Sequence, residues 1–179
     1  MKSSRVSFAA LVSCAVLAAL APPAHAQTAV PDPTSAVLDR VNGYRARHSA
    51  PALVADPQLA RGAQTWADRG VLEHSASGDG ETLYKQMSPD PLRCDERVLR
   101  QAVDTWYREI NDYDFQAHSH SARTGNFTQL VWRSTERIGV GIAATSEANG
   151  WHGCMVVARF DPPGNHVGRF EENVLPPNS

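Results

Sequence analysis

Three polar side chains in this 179-residue chain lie among apolar residues and therefore require partners. Glu109 follows Ala102 by seven residues and Trp106 by three, which at helical spacing places its carboxylate within an apolar stripe. An unpaired buried carboxylate is costly, so Glu109 needs a hydrogen-bond donor, a cation or a shifted pKa. Asn126 and Gln129 stand in a mostly apolar segment and also need partners. These amides either tie their segment to its neighbours or line a binding site.

The elements predicted to carry these side chains are one helix and one strand. The helix begins at Asp95 or Glu96, and its buried stripe contains Val98, Leu99, Ala102, Val103, Trp106, Tyr107 and Ile110. The segment Asn126–Trp132 is predicted to be a strand, because it is rich in aromatic, β-branched and aliphatic residues. Alternation leaves apolar side chains on both of its faces, so both faces are expected to be covered.

Two further helices are predicted to precede them. The first is capped by Thr34 or Ser35 and ends near His48, and the second starts at Asp56-Pro57 and ends near Val71. His74 follows closely and should lie near the buried side of that helix.

The remaining segments complete a layered arrangement. Strands are predicted over 138–144 and 151–160, the first with glycines that allow close approach of another element. The region 82–94 has the least readable pattern and is predicted to hold one short helical turn, and 168–179 is predicted to be a tail. Helices followed by strands without regular βαβ alternation predict an α+β sandwich.

The N-terminus has the pattern of a secretory signal peptide. A basic start, an apolar run and a small-x-small motif predict cleavage after Ala26, and a permanent membrane span is not expected. Residues 27–33 then form a short linker. The alternative is lipoprotein processing at Cys14. The mature chain would carry 15 basic and 19 acidic residues, a balance that disfavours nucleic acid as a partner.

Two cysteines, Cys94 and Cys154, remain after the predicted cleavage. In an exported protein two thiols usually form a disulfide. The alternative is a pair of buried thiols too far apart to bond. Neither cysteine has the neighbouring base expected of a nucleophile.

Several motifs resemble the CAP superfamily, which comprises cysteine-rich secretory proteins, antigen 5 proteins and plant pathogenesis-related 1 proteins. The segment TGNFTQLVWRST at 124–135 resembles one family signature, and VVARFDPPGNH at 156–166 resembles a second. Shorter motifs at 74–75, 80–83 and 106–109 follow in the family's order. The resemblance implies a three-layer α-β-α sandwich with a central, mainly antiparallel sheet. It also implies a single domain over 34–176, with 177–179 as a tail.

The resemblance further implies a cleft with two histidines and two glutamates, which in this family sometimes bind a divalent metal. His74, Glu81 and Glu109 match three of these positions, and Asn126 stands where the second histidine is expected. An amide lacks the imidazole nitrogen, so the implied site for Zn²⁺ or Mg²⁺ is degenerate and no cofactor is required. His118 or His120, in the preceding loop, are candidates to replace the missing imidazole.

Two interpretations of this residue set remain open. In the first, His74, Glu81, Glu109, Asn126 and Gln129 line a cleft that binds a cation or a polar ligand. In the second, they form a satisfied hydrogen-bond cluster that pins loops to the central layer.

The resemblance implies an extracellular, monomeric binding protein rather than an enzyme, with sterols or fatty acids as ligands. A hydrolase that uses the histidine and glutamates of the cleft is one alternative. A protein-interaction module of the cell envelope is another.

Overall fold

A four-stranded sheet forms the middle layer of the computed structural model, which describes residues 32–178. Its strands are β1 (Val54–Ala55), β2 (Gly80–Ser88), β3 (Arg137–Ser146) and β4 (His152–Asp161), in the order β1-β3-β4-β2. β1 pairs with β3 in parallel, and the other two pairs are antiparallel. The predicted signal peptide 1–26, Cys14 and most of the linker 27–33 lie outside the described residues.

Helices cover both faces of this sheet. They are α1 (Pro33–Arg47), α2 (Pro57–Ala67), α3 (Glu96–Arg108), α4 (Gly125–Val131) and α5 (Phe170–Asn173), with a 3₁₀ turn at Glu109–Asp112. α2 packs through Ala63 and Ala67 against Met155 and Val157 of β4. α1, α3 and α4 share the larger core on the opposite face. The predicted three-layer α-β-α sandwich is confirmed. Within residues 32–178 no helix is both long and apolar enough to span a bilayer.

Alternation along β4 explains why the sheet needs cover on both sides. Cys154, Val156, Ala158 and Phe160 point into the larger core. Met155 and Val157, between them, point to the α2 side. A strand that is apolar on both faces is stable only between two layers.

Local sequence signals set the helix starts. The carboxylate of Asp56 accepts hydrogen bonds from the N–H groups of Gln58 (2.7 Å) and Leu59 (3.0 Å), and Pro57 occupies the first helical position, as predicted. The first helix differs from the prediction, because Asp32 caps it. Thr34 is instead buried, and its hydroxyl accepts from the N–H of Val140 at 2.9 Å.

Glycines on β3 allow α2 to lie directly on the sheet. A Cβ atom added at Gly139 would overlap the backbone of Leu59 and Ala60. One added at Gly141 would overlap the backbone of Gln64. The close approach predicted from the glycine pattern is confirmed. α2 itself ends at Ala67, earlier than predicted.

Three predicted segments are wrong. The segment predicted as the strand Asn126–Trp132 is the helix α4, whose residues from Phe127 to Val131 are all buried. A helix buried on most sides has apolar residues at both odd and even positions, as does a strand covered on both faces. Over seven residues, periodicity does not distinguish such a helix from such a strand. Most of 82–94 belongs to the strand β2 rather than to a helical turn. The segment 168–179, predicted from its own pattern to be a tail, contains α5, because Phe170 and Val174 are buried in the core.

The structure joins Cys94 and Cys154 in a disulfide across 60 residues of sequence, as predicted. Cys94 lies between β2 and α3, and Cys154 lies on β4. The bond therefore fastens the connection that leads into α3 to the central sheet.

Candidate functional site

Arg45 on α1 holds the C-terminal end of α4. Its fully buried guanidinium donates to the carbonyl oxygens of Leu130 (2.9 Å), Trp132 (2.9 Å), Thr135 (3.0 Å) and Pro51 (2.8 Å). Burial lowers the pKa of Arg45 to about 10, so the group remains charged at neutral pH. The last carbonyls of a helix have no partner within the helix, and here the guanidinium supplies one.

Glu109 holds the N-terminal end of the same helix. Its Oε2 accepts from the backbone N–H groups of Asn126 (3.0 Å) and Phe127 (3.1 Å), and its Oε1 accepts from Nδ2 of Asn126 (2.7 Å). Glu109 is half-buried in the first position of the 3₁₀ turn, directly after α3. Burial raises the pKa of its carboxyl, opposed by the three hydrogen bonds. The carboxylate therefore finds its donors in α4.

His74 and Glu81 form a second pair, at the start of β2. Oε1 of Glu81 accepts from the N–H of Ser75 (2.8 Å) and lies 3.2 Å from Nδ1 of His74. Oε2 accepts from the Ser75 hydroxyl at 2.7 Å. Only 5% of the Glu81 side chain is exposed, against 67% of His74. The buried carboxylate of Glu81 therefore orients the exposed imidazole of His74.

Arg159 on β4 completes this pair and was not found from the sequence. It stands opposite Glu81 in the β2–β4 register, and its Nε lies 3.6 Å from Oε2 of Glu81. A single charged residue within the apolar strand Trp151–Phe160 was the available signal. Because β2 was not predicted, its cross-strand partner remained unknown.

Gln129 has a structural position. It is buried on α4, where its Oε1 accepts from the N–H of Gly164 (2.8 Å) and its Nε2 donates to the Thr135 hydroxyl (3.4 Å). The Thr135 hydroxyl donates in turn to the carbonyl of Pro162 at 2.9 Å. Gln129 therefore fixes the loop that leaves β4.

Four of the five predicted residues are thus found in two hydrogen-bonded pairs, His74 with Glu81 and Glu109 with Asn126. In the part of the chain that the structure describes, no three His, Cys, Asp or Glu side chains are grouped so as to hold a metal ion. His120 lies beside Phe170, with 6.2 Å between ring centroids. It therefore packs against α5, and its Nε2 also lies near Gly125 at the start of α4.

An aromatic cluster lies between α1, α3 and α4, and we define it by Tyr44, His48, Tyr107, Tyr113, Phe115 and Phe127. The ring of Tyr113 lies 4.9 Å from that of Phe115 and 5.6 Å from that of Phe127, between centroids. Its hydroxyl is buried, and no residue among 32–178 forms a hydrogen bond with it. Burial raises the pKa of this hydroxyl.

His48 links the aromatic cluster to the C-terminal segment of the chain. Its Nδ1 donates to the carbonyl of Leu175 (2.6 Å), which leaves Nε2 as the acceptor from the Tyr107 hydroxyl (3.1 Å). Burial lowers the pKa of His48, because a charged imidazole would lose solvation.

Comparison with known proteins agrees with this architecture. Residues 38–158 match the family described as CAP, the cysteine-rich secretory protein family. The human Golgi-associated plant pathogenesis-related protein 1 is 37% identical over 147 residues, which cover 79% of this chain and 91% of that protein. Protein PRY2 of Saccharomyces cerevisiae is 31% identical over 150 residues, but they cover only 42% of its length.

Solved structures share the fold at lower identity. The structure titled NaASP2 with Zn²⁺ superposes with a TM-score of 0.64 at 20% identity, covering 85% of this chain and 90% of that chain. The structure of BmVAL-1 gives a TM-score of 0.62 at 18% identity, covering 84% of each chain. At these identities the likeness establishes the fold.

Proposed function

The chain belongs to the cysteine-rich secretory protein (CAP) family, and from this premise we propose that it is an exported, non-catalytic binding protein for a sterol or a fatty acid. The aromatic cluster is the observation that carries the proposal. It combines apolar rings with the Tyr113 hydroxyl, which is buried without a partner among the described residues. A buried polar group without a partner is costly. A sterol hydroxyl or a fatty-acid carboxyl, each on an apolar body, would supply that partner.

Export is supported by the relatives and by the disulfide. The relatives include a Candida albicans protein named Secreted protein RBT4 and the human Cysteine-rich secretory protein 2. A disulfide between Cys94 and Cys154 persists in an oxidising compartment. We propose that the signal peptide is cleaved after Ala26, so that the released chain starts at Gln27 and contains a monomeric domain over 34–176. Intact mass of the secreted protein distinguishes this product from a lipoprotein anchored at Cys14.

The state of the two glutamates supports binding without catalysis. Glu109 accepts three hydrogen bonds from α4, and Glu81 accepts from both donor groups of Ser75. Every oxygen of the two carboxylates already accepts a hydrogen bond, so a substrate proton would have to compete with these donors. The hydrogen bonds of Glu109 and Glu81 also hold α4 and the loop that contains Ser75 in place, and this structural role explains the two glutamates without catalysis.

A direct assay tests the ligand class. We expect a naturally fluorescent sterol or polyene fatty acid to bind the purified protein at micromolar concentrations. Tyr113→Phe should weaken that binding about five-fold, the effect of losing one hydrogen bond of ~1 kcal/mol. The same variant should fold with unchanged or higher stability, because it removes a hydroxyl that has no described partner.

Tyr84→Phe is the matched control, since it removes a hydroxyl from β2 outside the aromatic cluster, and it should leave the affinity unchanged. If neither probe binds at micromolar concentrations, the lipid proposal fails. Equal affinities of wild type and Tyr113→Phe would remove the cluster as the binding position.

A hydrolase is the second candidate, and the exposed His74 favours it. Its Nδ1 faces the buried carboxylate of Glu81, an arrangement that leaves Nε2 available as a base. Turnover of an ester or peptide substrate that is lost in both His74→Ala and Glu81→Gln would establish the enzyme. Turnover that survives both substitutions would assign the activity to a contaminant.

A further inference from the structure

We propose that the guanidinium of Arg159 takes the place of a metal ion at the His74–Glu81 pair. The pair is then closed to divalent cations, and the loop 74–79 is held without one. The inference concerns the His74–Glu81 pair alone and does not depend on the lipid ligand.

Arg159 contacts one oxygen of the Glu81 carboxylate, and His74 faces the other. The Nε of Arg159 lies 3.6 Å from Oε2 of Glu81, and its Nη1 lies 3.5 Å from Oδ2 of Asp79. Its Nη2 donates to the Ser75 hydroxyl at 3.1 Å. A divalent ion joined to His74 would need the lone pairs of these same carboxylates. Only 13% of the Arg159 side chain is exposed, so the guanidinium is enclosed among these polar residues.

Two features of the fold, one on the sheet and one on α2, place Arg159 there. Directly paired residues of neighbouring strands present their side chains on the same face, and Glu81 pairs with Arg159 across β2 and β4. On the facing helix, Gly62 leaves the room that the guanidinium fills, because a Cβ at that position would lie 2.5 Å from Nη1 of Arg159. Strand register and a helical glycine together fix the position of this charge.

The charge of Arg159 supports the exclusion. Its planar guanidinium carries donors on three nitrogens, so it can contact Glu81, Asp79 and Ser75 at the same time. It balances the negative charge of Glu81 and repels a second cation placed within a few ångströms. The loop from His74 to Asp79 is therefore fastened to the sheet through Ser75, Glu81 and Arg159, and a chelator should not loosen it.

Removal of the charge tests this assignment. We expect calorimetric titration of the purified full chain with Zn²⁺ to show no binding that depends on His74. Arg159→Gln keeps a donor near Ser75 but removes the charge, and it should raise Zn²⁺ affinity about ten-fold or more. The gain should disappear in the double variant with His74→Ala. Arg159→Lys keeps the positive charge and should show no gain.

Other outcomes contradict the proposal. If Arg159→Gln retains the wild-type circular dichroism and gains no Zn²⁺ affinity, the guanidinium does not exclude the ion. The same conclusion follows if Asn126→His gains His74-dependent affinity while Arg159→Gln does not, since the missing imidazole would then be the sole obstacle. Wild-type titration decides the matter even if Arg159→Gln fails to fold: micromolar Zn²⁺ binding that is lost in His74→Ala overturns the proposal, and its absence supports it.

Discussion

Replacement of Arg45 by methionine should destabilise the protein strongly, because this side chain is the common donor for four backbone carbonyls, three of them through buried hydrogen bonds. Arg45→Met is similar in length and apolar, so it removes the charge and all of its hydrogen bonds without opening a large cavity. Each carbonyl left without a donor costs about 1–3 kcal/mol. The variant is also relieved of a desolvated charge, which offsets part of that sum.

The net loss of unfolding free energy should therefore be about 3–5 kcal/mol, the range seen when one partner of a buried charged network is removed. That is a large fraction of the ~5–15 kcal/mol of a typical domain. Urea denaturation followed by tryptophan fluorescence measures the difference at unchanged m-value. Arg45→Lys is the matched control. It keeps the charge and part of the hydrogen bonding, so its loss of unfolding free energy should be smaller than that of Arg45→Met.

A loss below about 1 kcal/mol in Arg45→Met would refute the reasoning. It would mean that the carbonyls at the end of α4 find water or other donors when the guanidinium is absent. The same measurement tests the positioning of the site, since α4 carries Asn126 and Gln129. If the argument holds, the variant should also weaken any ligand binding that requires an ordered α4.

Three further predictions concern pH, the disulfide and the sheet glycines. Burial lowers the pKa of His48 from 6.5, so the unfolded chain binds more protons between that lowered pKa and 6.5, and stability should fall as the pH drops through this window. His48→Gln should flatten the profile in urea titrations at several pH values, and an equally steep profile would assign the effect to other groups. Replacing Cys94 and Cys154 by serine should cost up to about 4 kcal/mol, and a thermal melt indistinguishable from that of wild type would contradict this. Gly139→Ala should cost at least about 2 kcal/mol, because its methyl group meets the backbone of α2. Gly43→Ala, which meets open space on α1, should be neutral or stabilising by roughly 0.5–1 kcal/mol, and equal effects of the two substitutions would contradict the packing argument.

Elements with local signals were predictable from the sequence. Asp56-Pro57 and Asp95 mark helix starts through contacts to backbone groups two or three residues away. β4 is long enough for alternation to identify it. In each case the information lies within a few neighbouring residues.

The helix α4 shows why other elements were not predictable. It is seven residues long, and an isolated helix of that length is unstable in water. Its ends are satisfied by Glu109, 17 residues from Asn126, and by Arg45, 85 residues from Leu130. Neither partner is visible in the segment itself, and without them its composition favours a strand.

The sequence alone determined the family resemblance, the layered α+β class, the cysteine pair and the identity of the polar residues His74, Glu81, Glu109 and Asn126. Only the tertiary structure decided how those residues are paired, and it added Arg159 to the set. The physical reason is that residue type fixes which hydrogen bonds and charges a side chain can offer. Strand register and helix packing decide which of its possible partners lies within reach.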